Sequence, residues 1–314
     1  ILGINFGHNS SVCIIKDSKI IAAVEEEKVS RIKNDFFWPT NAINRLFKEY
    51  NLHYSDVDCI SIQNDTISLI GRYNIKYRIH TSKFYLYYDF FNRVTSYFGL
   101  SKRTVFFSKE SFEDEIKQLG FKNAKFNYFD HHLSHAASAF YTSPFISDLV
   151  ITSDGFGGTD SFNFYIPSKN GLKLVKQNKF NVSVGQFYSM ITVLLGFKPN
   201  RHEGKITGLA AFGKETVLIK KFRKLWKYNK NNCLERFPTE SDNITMFYNK
   251  LSLRKKINIK QAGNDILNQY TLNNFVLLEW LKIETKGFSK EDISYACQKI
   301  SEEITLNEIV NVYN

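Results

Sequence analysis

The stretch DHHLSHAASAF at 130–140 puts three histidines into five positions and follows them with small apolar residues. Imidazole changes charge near neutral pH and is a common metal ligand. If Asp130 caps a helix that runs on through Phe140, His131 and His135 lie four apart on one face, within reach of a single ion. His132 then faces elsewhere and has a structural role. The spacing is met as well by a capped helix start whose histidines bind nothing, so the pattern alone leaves both readings open.

A carboxylate shifts the balance. Asp154 ends the apolar run LVITSD and precedes GFGG, where strand-end acids point into clefts. Two imidazoles and one carboxylate suit a transition ion, Fe or Zn, better than the all-oxygen shells of Mg or Ca. Such an ion would hold phosphate or hydroxyl oxygens and polarise a carbonyl. Gly155 and Gly157 belong to a turn whose backbone N–H groups can approach an anion.

A second candidate is RHEGKITGLAAFGK at 201–214. It lacks the GxxxxGK[ST] frame of a P-loop. Glu203 and Lys205 are read as residues of a site wall, where a loop enters a closely packed helix. The plainer reading is a helix first turn whose glycines serve packing.

Residues of this kind need elements to hold them. LGINFG, SVCIIK and IIAAVEEE read as three strands joined by tight turns, TNAINRLFKEYNL as a helix, and VDCISIQ and NAKFNYF as further strands. The alternation is that of an α/β domain. Residues 147–180 repeat the opening layout: an apolar strand, a glycine-rich turn, a second strand, a hairpin at 169–171 and a third strand. Two copies of one unit imply duplication, and two such turns facing each other would make a phosphate cleft. Residues 72–120 are aromatic and basic, fitting either core packing or an amphipathic insertion.

Composition sets outer bounds. The chain has 314 residues and a formal net charge of +11. Much of the basic excess lies at 220–230 and 250–260, away from the candidate site. It reads as a solvated face rather than a nucleic-acid surface. Cys13, Cys59, Cys233 and Cys297 form no CxxC pair, so reduced, buried thiols are expected. No run reaches the roughly 18 apolar residues of a membrane span and no leader pattern is visible, so the expected compartment is the cytoplasm. The opening inside an apolar run and the uncapped final helix pattern suggest a fragment.

The layout resembles the actin, hexokinase and heat-shock-ATPase superfamily, in which two duplicated lobes clasp a nucleotide. A closer likeness lies in five ordered motifs: GINFGHNSSVC, EEEKVSRIKND, DHHLSHAASAFYTSPF, ITSDGFGG and RHEGKITGLAAFGK. Together they resemble the O-carbamoyltransferases that act on antibiotics and nodulation factors, over essentially the whole chain. The resemblance implies metal-binding lobes akin to those of the tRNA threonylcarbamoyl transferase, with a YrdC-like domain beyond them. It implies a reaction in which carbamoyl phosphate and ATP give carbamoyladenylate, whose carbamoyl group passes to a substrate hydroxyl.

Carried over by motif, it makes His131, His135 and Asp154 metal ligands, and sets His8 and Lys33 against the carbamoyl and phosphate parts of the intermediate. It implies a first lobe at 1–145 with the aromatic insertion near 72–120. A second lobe at 146–314 would stop before its adenosine-binding glycine-rich segment and a further aspartate ligand. With the YrdC-like domain absent, the fragment would not make the adenylate by itself. Homo-oligomerisation is compatible with this reading. The alternatives are a sugar-kinase-like phosphotransferase on the same lobes and an RNA-binding module related to tRNA modification.

Overall fold

The computed structural model describes residues 1–5, 9–35, 38–63, 109–157, 159–229, 233–236 and 266–313. The described residues divide into two compact units, Ile1–Ser134 and His135–Asn314. The division falls inside a helix.

In the first unit, β1 (Leu2–Asn5), β2 (Ser11–Lys16) and β3 (Lys19–Glu25) form an antiparallel meander. Asp17 and Ser18 join β2 to β3, both at positive φ (50° and 61°), as a two-residue hairpin turn matched to strand twist requires. A short helix α1 (Glu26–Ser30) and a longer α2 (Thr40–Glu49) follow, then β4 (Cys59–Gln63), α3 (Lys109–Gln118) and β5 (Lys125–Phe129). The sheet order is β3-β2-β1-β4-β5, with β4 parallel to both β1 and β5.

Alternation along each strand explains how this sheet packs. Leu2, Ile4, Val12, Ile14, Ile60 and Ile62 point into one core with Ala42, Ile43, Leu46 and Phe47 of α2. The odd-numbered residues of β4, Cys59, Ser61 and Gln63, take the opposite face by the two-residue period. Glu26 is almost fully buried. Its carboxylate accepts from the backbone N–H groups of Asn41 (3.2 Å) and Ala42 (2.7 Å) and from the Asn41 amide (2.6 Å). It thereby caps α2, whose N-cap residue Pro39 has no side-chain acceptor.

Helix α4 (His131–Thr142) runs through the division between the units. In the second unit, β6 (Val150–Gly157), β7 (Asp160–Ser168) and β8 (Gly171–Lys179) form another three-stranded antiparallel meander, with its hairpin at the expected place. Helices α5 (Val184–Leu194), α6 (Glu203–Ala210) and α7 (Val217–Arg223) follow. After them come a small hairpin of β9 (Trp226–Tyr228) and β10 (Leu234–Arg236), then α8 (Ile266–Glu284) and α9 (Lys290–Tyr313). Phe162 and Phe164 of β7 pack with Phe187, Phe222, Leu277 and Leu281 into the unit's core. The apolar periodicity of the last helix is realised: Ile293, Cys297, Ile300 and Ile304 are all buried.

The structure is thus mixed α/β, and a three-stranded meander recurs in both units. No helix among the described residues is long and apolar enough to cross a membrane. The four cysteines are unbridged, but only Cys297 is buried. Cys233 is exposed and Cys13 and Cys59 are half-buried, because their strand and loop positions leave them off the core. Part of the basic stretch at 220–230 is spent internally. Lys221 pairs with Glu284 at 2.8 Å, and the Arg223 guanidinium grips both oxygens of Glu303 at 2.6 and 2.7 Å. Residues 72–108 of the aromatic stretch and all of 250–260 lie outside the described residues.

Candidate functional site

Helix α4 starts where the histidine spacing requires. The Asp130 carboxylate accepts the Leu133 N–H at 2.9 Å, and its carbonyl accepts the Ser134 N–H at 2.9 Å. This is the N-cap expected of an aspartate before a helix. His131 and His135 therefore stand one turn apart, and His132 is fully buried with its ring edge-on to that of His131, centroids 5.4 Å apart.

Asp154 lies near the end of β6. Its Oδ1 accepts the backbone N–H of Gly155 at 2.6 Å, and its Oδ2 lies 3.6 Å from His135 Nε2. The carboxylate beside it raises the His135 pKa above the ordinary imidazole value, against a smaller opposing effect of burial. The ligand atoms offered by His131, His135 and Asp154 all lie within 4.8 Å of one another. Two nitrogens and one oxygen at that separation fit the donor set of a single transition ion.

The strand end is held by the start of α5. Ser183 caps that helix by accepting the Gln186 N–H at 3.1 Å, and its hydroxyl donates to the Asp154 carbonyl at 3.1 Å. Arg236 donates to the Ser183 carbonyl at 2.7 Å, and the Trp226 indole to the Val182 carbonyl at 3.3 Å. Backbone meets backbone here. A Cβ on Gly185 would come 2.8 Å from Gly155 Cα and 3.0 Å from its nitrogen. Gly185 thus allows the close approach of α5 to the backbone of Gly155; Gly157 pairs with Asp160 across the β6–β7 turn.

Sequence reasoning passed over Gln63, the last residue of β4. Its side-chain amide is hydrogen-bonded to Nδ1 of His131. Strand register accounts for the contact: Gln63 pairs with Phe129 across parallel strands, and Phe129 leads into α4. Ser183 and Gly185 were likewise unmarked, since a single Ser or Gly before a helix has many ordinary explanations.

Lys33 is exposed and forms an ion pair with Glu27 at 2.8 Å. The Glu27 carboxyl is held down to about 2 by the Lys33 ammonium and by the Asn34 N–H, which donates at 2.8 Å. The loop carrying Lys33 is stitched to the end of the first turn: Ser10 N–H donates to the Asp35 carbonyl at 3.0 Å, and Ser30 Oγ to the Asp35 carboxylate at 2.8 Å. His8 lies outside the described residues. Glu203 opens α6, accepting from Ser189 Oγ at 2.9 Å and from the Asn200 N–H at 2.6 Å. The exposed Lys205 ammonium sits 5.2 Å from the Phe197 ring centroid. Both side chains are engaged with their immediate neighbours.

Known proteins resemble this chain along most of its length. It is 29% identical over 309 residues to the uncharacterized protein MJ1051 of Methanocaldococcus jannaschii, covering 92% of this chain and 52% of that protein. It is 31% identical over 220 residues to the uncharacterized protein sll1178 of Synechocystis, covering 68% of this chain and 34% of that one. Nodulation protein NolNO of Sinorhizobium fredii is 28% identical over 208 residues, covering 66% of this chain and 28% of its own. The chain thus spans about half the length, or less, of these curated relatives. Component A of the Acidaminococcus fermentans (R)-2-hydroxyglutaryl-CoA dehydratase aligns over 96% of this chain and 98% of its own, with a TM-score of 0.38 and 12% identity, a likeness too distant to carry an argument. The family described as carbamoyltransferase N-terminus matches residues 1–313, a span that takes in the cap at Asp130, both helix-borne imidazoles and the strand-end carboxylate. The chain belongs to that carbamoyltransferase family.

Proposed function

We propose that this chain is the metal-holding part of an O-carbamoyltransferase, passing a carbamoyl group from carbamoyladenylate to a hydroxyl of a small-molecule or glycan acceptor. The observation that carries the reading is the convergence of His131, His135 and Asp154 within 4.8 Å. Family membership supports carbamoyl transfer in general, and the recurrent meander supports duplicated actin-like lobes as the frame.

In this reading the acceptor oxygen attacks the carbamoyl carbon, the bond from that carbon to the phosphate oxygen breaks, and AMP leaves. A bound Fe or Zn ion supplies Lewis-acid stabilisation of charge that develops on oxygen. The chain's own residues do the rest. His135 and Asp154 fix one side of the donor set, the second because Gly155 and Ser183 hold its backbone and one carboxylate oxygen. Lys33 is a compact cation that can turn from Glu27 to a phosphate oxygen, a substitution of one anion for another. His8 is assigned, by its motif, to the acceptor's proton or the carbonyl oxygen. Holding donor and acceptor together removes an entropic barrier.

The test is metal analysis of the purified chain after loading with Fe(II) or Zn(II), wild type against His135→Ala. The proposal requires one bound ion in wild type and its loss in the variant; equal metal content in both would refute it. A transfer assay with supplied carbamoyladenylate and labelled carbamoyl carbon then reads the chemistry.

A further inference from the structure

We infer that Gln63 is a positioning residue for the metal site, setting which nitrogen of His131 faces the ion. The inference rests on the metal reading above and adds to it a residue outside the three donors.

The placement follows from strand register. β4 sends Ile60 and Ile62 into the first unit's core, so Gln63 emerges on the other face at the strand's end. Parallel pairing puts it beside Phe129, two residues before His131. From there its amide reaches Nδ1 of His131. Because Nδ1 is engaged by Gln63, a cation has to be met through Nε2.

The protonation state decides whether that can happen. A neutral imidazole carries one N–H and one lone pair. As placed, the glutamine amide nitrogen is the atom against Nδ1; donating there, it would leave the ring proton on Nε2, and His131 would present the ion with a hydrogen instead of a lone pair. A half-turn of the amide puts Oε1 against Nδ1, and amide oxygen and nitrogen are interchangeable by shape. Oε1 then accepts from Nδ1–H and leaves the Nε2 lone pair for the ion. This is the arrangement in which a metal-bound histidine gives its other N–H to an oxygen acceptor, and loss of such a partner typically lowers metal affinity about 10- to 100-fold. Free imidazole side chains prefer the proton on Nε2, so without Gln63 the useful tautomer has to be formed at the moment of binding.

Two substitutions separate acceptor from donor. Gln63→Leu removes both, and Gln63→Glu keeps an oxygen and loses the N–H. The measurement is Zn(II) affinity by competition with a chromophoric chelator, on the full chain, beside wild type and His135→Ala, with urea unfolding of each metal-free protein as a control. We expect Gln63→Leu to bind about 10- to 100-fold more weakly and Gln63→Glu to bind as tightly as wild type or more so. Nitrogen-15 NMR of the metal-free imidazoles supplies a readout that a packing role would not move: His131 carries its proton on Nδ1 in wild type and Gln63→Glu, and on Nε2 in Gln63→Leu. Equal affinity in Gln63→Leu, or a Gln63→Glu protein as weak as Gln63→Leu, overturns the inference while wild type still binds metal. A wild type that binds no metal overturns the metal reading, and the tautomer spectrum then still decides whether Gln63 sets the proton.

Discussion

His135 Nε2 lies 3.6 Å from Asp154 Oδ2, a histidine at the second turn of one helix meeting an acid in the later half of the neighbouring meander's first strand. The acid holds the imidazole's pKa above its ordinary value. A raised histidine pKa contributes stability that is fully present below the unfolded value and is lost as pH rises through the folded one. Asp154→Asn should therefore lower the His135 titration midpoint in metal-free protein and flatten the fall in stability across neutral pH. Both are read by NMR titration and by urea unfolding at several pH values. The pair is partly exposed, so screening keeps the stability effect small.

Glu27 titrates the other way. Its carboxyl is depressed to about 2, chiefly by Lys33 and the Asn34 N–H, so its contribution is present above the ordinary carboxylate range and fades as pH falls toward 2. Lys33→Ala should raise the Glu27 midpoint by removing the largest of those causes. Carbon-13 NMR of the carboxyl checks it, and an unmoved midpoint would mean that the pair does not form.

Burial makes Glu26 a different case. Glu26→Ala leaves the N–H groups of Asn41 and Ala42 without their acceptor at a helix start inside the first unit. The expected cost is about 1–3 kcal/mol, seen as a lower urea midpoint with an unchanged slope.

The backbone contact between Gly185 and Gly155 predicts a contrast between two glycine substitutions. Gly185→Ala puts a carbon 2.8 Å from a backbone Cα. It should destabilise by about 1–3 kcal/mol and disturb the Asp154 carboxylate next to it. Gly204→Ala, on a helix with nothing within 4 Å of the added carbon, should be neutral or stabilise by up to about 1 kcal/mol. Thermal unfolding of the two proteins separates them.

Much of this arrangement was legible in the sequence because it rests on short-range rules. The Asp130 cap and the four-residue step fixed His131 and His135 on one helix, and the repeated strand, turn and strand order gave the second meander. What one chain's pattern could not carry is tertiary contact. Gln63 is 68 positions from His131, and nothing local in CISIQ marks its last residue as reaching a histidine. The Glu27 partner of Lys33 was hidden among neighbouring charges, and the ion pairs of Lys221 and Arg223 with Glu284 and Glu303 depend on helices distant in sequence.

The measurement closest to the centre of the account is the metal stoichiometry of the folded chain, by elemental analysis after Fe(II) or Zn(II) loading and desalting, for wild type, His131→Ala, His135→Ala and Asp154→Asn. The account predicts one ion per wild-type chain and a loss of at least tenfold in affinity for each variant, with unfolding curves close to wild type. Metal retained in full by all three variants, or absent from a folded wild type, would contradict it.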